Sequence, residues 1–161
     1  MKLEWILLAE GIGQDSKGAI TAIGLNQNVL AAPSLPATTK RAVIVHLVAD
    51  NGAFKPGEKI TVRFSVTSPS GQVIAAQTAQ ATAGQLPWPD LPATSDLSAE
   101  MMLVVNEYGT HWLEVVIQPP GGEEIRGQIA VHVVVPVQPL TGELQKTDQA
   151  VRLSDHTDAV T

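Results

Sequence analysis

The 161-residue chain contains no cysteine. That absence removes a disulfide framework, an iron–sulfur cluster, a thiolate zinc site and a cysteine nucleophile together. Charge is sparse, at 16 % of residues against roughly 25 % in an average globular domain, which argues against long salt-bridged surface helices. Positive charge is scarcer still: 10 Lys and Arg against 16 Asp and Glu give a net charge of −6. No basic footprint exists for phosphate backbones or anionic membranes, so neither nucleic acid nor membrane is an expected partner. Long apolar runs are also missing. Trp5-Ile6-Leu7-Leu8-Ala9 lies between Glu4 and Glu10 and falls far below the roughly 20 residues of a spanning helix. Neither an anchor nor a signal peptide is read there, and a cytoplasmic location is the expectation.

What the chain does have is runs of Val, Ile and Thr, punctuated at short intervals by Gly, Pro, Ser and Asn. That is strand composition. Leu3 to Ala9 and Ala19 to Leu25 read as the first two strands, separated by a turn holding Gly11, Gly13 and Gly18. Pro33 and Pro36 mark Asn26 to Thr39 as a crossing loop, with a short edge strand around Val29. Lys40 to Ala49 is apolar on both faces, as a central strand would be. In Lys59 to Ser68, Ile60, Val62, Phe64 and Val66 alternate with Thr61, Arg63, Ser65 and Thr67, the period of two that half-burial demands.

Pro69-Ser70-Gly71 leads into Gln72 to Ala83, whose small, uncharged side chains place it at a sheet edge. Such an edge is expected either to be covered, by the Leu86 to Leu91 loop or the C-terminal tail, or to pair with a second copy in a homodimer. Gln85 to Ser98 reads as a proline-rich loop. Ala99 to Val105, Thr110 to Gln118 and Glu124 to Val135 complete the set, the last again apolar enough to sit centrally.

About eight strands without helical periodicity predict an all-β chain, an antiparallel two-sheet β-sandwich of immunoglobulin-like or C2-like type. The sandwich spans residues 1–136, and 137–161 form a polar C-terminal tail, disordered or folded into a short docked helix. The predicted core is Leu7, Ile23, Val43, Val45, Leu47, Ile60, Val62, Phe64, Val66, Leu103, Leu113, Val115, Ile117, Ile129, Val131 and Val133.

Several segments carry a family resemblance. Trp5 to Glu10, the glycine-punctuated turn, Ala19 to Gly24, Gly57-Glu58-Lys59-Ile60-Thr61-Val62 and Gly109-Thr110-His111-Trp112-Leu113-Glu114-Val115 together span Leu3 to about Val135. They resemble a family of uncharacterised bacterial, actinobacterial-type β-sandwich proteins. The closing hairpin is also similar to the last hairpin of many immunoglobulin-like domains. The resemblance implies a fold; that family has no assigned activity or site to carry over.

Chemistry-bearing residues are few. His46, His111, His132 and His156 are the candidates for proton transfer or metal ligation. If the two most apolar strands are neighbours, His46 and His132 approach and recruit Glu114 as a third ligand. No HxH or HExxH spacing supports that metal site, so packed histidines are the plainer reading. No G-x-S-x-G is present, and Ser16, Ser70 and Ser95 sit where a turn hydroxyl bonds its own backbone. Asp15, Asp50, Asp90 and Asp96 are solitary, unlike grouped calcium ligands. Trp112, Tyr108 and Trp88 are the candidate interaction surface, Trp112 pointing away from Leu113, Val115 and Ile117. The leading expectation is a non-enzymatic interaction or structural module with a protein partner and no cofactor. The alternatives are a small metal-dependent or hydrolytic enzyme, and a carbohydrate- or peptide-binding module using exposed aromatics.

Overall fold

The computed structural model describes residues 1–16, 19–49, 57–82 and 93–137. Nine strands lie within them: β1 (Lys2–Gln14), β2 (Ile20–Leu25), β3 (Val29–Ala31), β4 (Ala37–Ala49), β5 (Lys59–Thr67), β6 (Val73–Thr82), β7 (Ala93–Val105), β8 (Gly109–Gln118) and β9 (Ile125–Val134). They form a four-stranded sheet of order β2-β1-β4-β7 and a five-stranded sheet of order β3-β9-β8-β5-β6. The all-β, two-sheet sandwich is therefore as expected. Among the described residues no helix is long and apolar enough to cross a membrane.

The core lies between the sheets. Val43, Val45 and Leu47 of β4 meet the alternating inner rows Ile60, Val62, Phe64, Val66 and Leu113, Val115, Ile117, all 4 % exposed or less. Strand β4 sits between β1 and β7, β9 lies between β3 and β8, and β6 is at an edge, as the composition of each predicted. Gly127 on β9 opposes Val115 and faces inward. A Cβ there would overlap Leu3 Cδ2 and lie 3.0 Å from Ile6 Cδ1, so a bare backbone is what lets β1 close against the five-stranded sheet.

Four expectations need correction. First, β3 pairs β9 in parallel, Val29 against His132, so the sandwich is not purely antiparallel, and the short strand raises the count to nine. Second, β1 does not stop at Ala9. It runs through Gly11 and Gly13 because its second half changes partner, pairing β2 where its first half pairs β4. Third, β7 begins at Ala93, inside the stretch read as a loop, because thirteen residues of β4 pair with it without interruption. Fourth, Leu7 and Ile23 are not in the main core.

The physical reason for Leu7 is a bulge. Leu3 opposes Leu47 and Trp5 opposes His46, so Glu4 is the extra residue, and every later side chain of β1 changes face. Leu3, Ile6 and Leu8 consequently pack into the sandwich. Leu7 joins a second cluster with Ala9, Ala42, Ile44, Ile12, Ile20 and Ala22. The end of the β1–β2 hairpin, Gln14 and Ile20, lines a cavity of about 260 Å³ with residues of β5, β6 and β7. Ile23 is 63 % exposed on the edge strand β2, beside the likewise outward Leu25. Ile129 is partly buried against the core.

Trp88 and His156 lie outside the described residues, as do the turn from Asp50 to Pro56 and nearly all of the polar tail.

Candidate functional site

The histidine cluster does not assemble. His46 is on β4 of the four-stranded sheet, whereas His132 and Glu114 are on β9 and β8 of the other. Both apolar strands are internal, as predicted, but to different sheets. Each side chain opposes residues outside the core: His46 lies across from Trp5, His132 from Thr110, and Glu114 from Gln128 and Ser65. Among the described residues no group of three or more His, Cys, Asp or Glu is placed to hold a metal ion.

His46 instead belongs to a row that alternation within one strand cannot reveal. The pairings Trp5–His46 and His46–Asp96 set three strands side by side on the outer face of the four-stranded sheet. The Trp5 and His46 rings stack, with centroids 4.8 Å apart and planes 7° from parallel. Nδ1 of His46 donates to Asp96 Oδ1 at 2.6 Å, and Nε2 lies 4.0 Å from Glu4 Oε2. The bulge that displaces Leu7 is what brings Trp5 and Glu4 to this position.

On the outer face of the five-stranded sheet the aromatic is left open. Trp112 is 45 % exposed and sits between Thr67 of β5 and Ala130 of β9, both too small to cover an indole. The next row is Ser65, Glu114 and Gln128, all hydrogen-bonding side chains. The row after it is Arg63, Val116 and Arg126. Val116 is only 6 % exposed although it faces outward, flanked by the two arginine stems.

The charges there close on one another. Arg63 and Arg126 both donate to Glu124, at 3.0 Å and 2.7 Å, and Arg126 also donates to Glu114 at 3.2 Å. The hydrogen bonds to Glu124 raise the Arg126 pKa above its ordinary value. An open cavity of about 520 Å³ lies over Ser65, Glu114, Arg63, Val116 and Arg126, bounded on the β6 side by Val73 and Thr78; Trp112 and Gln128 do not line it.

Tyr108 is 40 % exposed, but its hydroxyl donates to the Ala32 carbonyl and ties the β7–β8 turn to the segment after β3. The structure thus keeps Trp112 as a free aromatic and gives Tyr108 a fastening role.

A second polar cluster, at one end of the sandwich, has no local sequence signal. Ser70 on the β5–β6 turn donates its hydroxyl and its N–H to Glu107 on the β7–β8 turn, at 2.5 Å and 3.2 Å. The Ser70 hydroxyl bond, foremost, lowers the Glu107 pKa below its ordinary carboxylate value. Ser68 lies 2.9 Å from the Ser70 hydroxyl. His111 is buried nearby, with Nδ1 directed at the Gly109 carbonyl and Nε2 without a hydrogen-bond partner.

Fold and faces together define a β-sandwich module. No family model and no curated protein matches the sequence. Among solved structures it is similar to a glycosyl hydrolase family 2 member from Bacteroides cellulosilyticus DSM 14838, at 10 % identity and a TM-score of 0.44. The match covers 60 % of this chain and 13 % of that one, and a likeness of this extent carries no argument about activity.

Proposed function

We propose that the chain is a non-enzymatic binding module whose binding face is the outer surface of the five-stranded sheet. The observation that carries this reading is Trp112, a large aromatic left uncovered on paired, internal strands between two small neighbours. An uncovered indole on a rigid sheet supplies contact area at little entropic cost, the property of interface anchors. The test is comparative. Immobilised wild-type protein, Trp112→Ala and Trp5→Ala are exposed to extract of the native cells, and eluates are assayed for protein and for saccharide. Material retained by wild type and Trp5→Ala but lost by Trp112→Ala supports the reading; equal retention by all three refutes it.

The hydrolytic alternative has one observation in its favour, the gathering of Ser68, Ser70 and Glu107 close to His111. In that cluster the Ser70 hydroxyl is committed to Glu107 and His111 Nδ1 to a backbone carbonyl, so the nucleophile and base of acyl transfer are not joined. Ester hydrolysis by the wild type that Ser70→Ala abolishes would reverse this preference.

A further inference from the structure

We infer that the occupant of this face is a neutral carbohydrate chain, laid across the strands' side chains with one sugar ring stacked on Trp112. The inference rests on the binding face proposed above and names its ligand class.

Three features of the face select that class. The first concerns what the backbone can offer. Strands β8 and β5 are paired on both sides along these rows, so their N–H and C=O groups are consumed in the ladders, whereas β9 meets β3 only from His132 to Val134. An extended peptide lying flat on the sheet would find no backbone partner for its own amides, and peptides recognised by sheets add at an edge instead. A saccharide needs only side-chain donors and acceptors, which the face supplies in Ser65, Glu114 and Gln128.

The second feature is the alternation of surface types. Trp112 presents a flat apolar ring, and the hydrogen-bonding row lies two residues along the strand, about 7 Å away at the usual strand rise. A pyranose has the matching character, with C–H groups on its faces and hydroxyls around its rim. A lipid surface would demand a continuous apolar or basic patch, and the hydrogen-bonding row interrupts it.

The third is charge. Arg63, Arg126, Glu114 and Glu124 neutralise one another through the bonds already described, leaving no net charge for an ionic ligand to complement. Each group retains hydrogen-bonding capacity, since a guanidinium has five N–H donors and a carboxylate four acceptor positions. The cavity of about 520 Å³, within the usual size of small-molecule sites, is lined by Ser65 and Glu114 and lies beside the Trp112 row without including that ring.

The test is a titration of the full chain with cellohexaose, xylohexaose and mannohexaose, followed by calorimetry and tryptophan fluorescence, with hexagalacturonate as the charged control. Saturable binding of at least one neutral hexasaccharide is expected below about 1 mM, weakened about tenfold by Trp112→Ala and several-fold by Gln128→Ala. Trp5→Ala leaves it unchanged, and hexagalacturonate binds no better than the neutral chains. Silence of all three neutral probes at about 10 mM, or binding indifferent to Trp112→Ala, overturns the inference. If the probes are silent while native extract still yields Trp112-dependent material, the ligand class fails and the binding face stands. If that retention is absent too, both fail.

Discussion

The two outer faces of the sandwich use the same residue types to opposite ends. On the four-stranded sheet, Trp5 lies flat on His46, which is held in turn by Asp96. On the five-stranded sheet, Trp112 has Thr67 and Ala130 beside it, and the nearby acids are occupied with arginines. The second apolar cluster, from Ala9 to Ile44, also belongs to the four-stranded side. What separates a tryptophan that is covered by its neighbour from one that is left open is the size of its cross-strand neighbours, and not its own exposure, which is 38 % for Trp5 and 45 % for Trp112.

The contrast can be broken at its foundation or tested residue by residue. Phe64→Ala empties the centre of the shared core, where the ring is 1 % exposed, and should cost about 3–5 kcal/mol, lowering both faces together in one cooperative transition. Separate transitions for the two sheets in denaturant would show that they are independent units. Gly127→Val drives a side chain into Leu3 and Ile6, with an expected loss of about 2–3 kcal/mol in chemical denaturation. Trp5→Ala removes a stacked ring and should cost about 1–2 kcal/mol, while Trp112→Ala should stay within about 0.5 kcal/mol of wild type. Equal losses from the two tryptophan variants would erase the distinction between the faces.

The smallest effect belongs to the end cluster, which serves neither face. Because the folded-state pKa of Glu107 is depressed from its ordinary 4.5, its contribution is present above that value and is lost as pH falls through the lowered one. Comparison of wild type with Glu107→Gln from pH 7 to pH 2 should show the stability difference shrinking with acid. A difference that grows on acidification would contradict the Ser70–Glu107 contact.

The shared core and the outward Trp112 were legible because the alternation in β5, and the place of Trp112 out of phase with Leu113, Val115 and Ile117, are local signals, readable without knowing any partner. The Trp5–His46–Asp96 row was not, since it depends on the register of three strands far apart in sequence and on a bulge at Glu4 that has no sequence mark. The same inserted residue accounts for the misplacement of Leu7. Likewise, the expected meeting of His46 and His132 required knowing which sheet each apolar strand joins, and hydrophobicity reports burial, not membership. The start of β7 at Ala93 escaped notice because its strand character comes from pairing with β4, not from its own composition.

The order of strands within the sheets bears on how the molecule comes into being. Along the chain, β1 and β2 belong to one sheet, β3 to the other, β4 to the first, β5 and β6 to the second, β7 to the first, and β8 and β9 to the second. Neither sheet is therefore a contiguous stretch of sequence. A nascent chain that has emerged as far as β6 holds an unfinished part of both sheets, with β4 lacking its long partner β7 and β5 lacking β8. Closure of either sheet must wait for residues made late. Formation should thus belong to the slow, millisecond-to-second class of non-local β-sandwiches, and chains interrupted during synthesis would expose unpaired apolar strands.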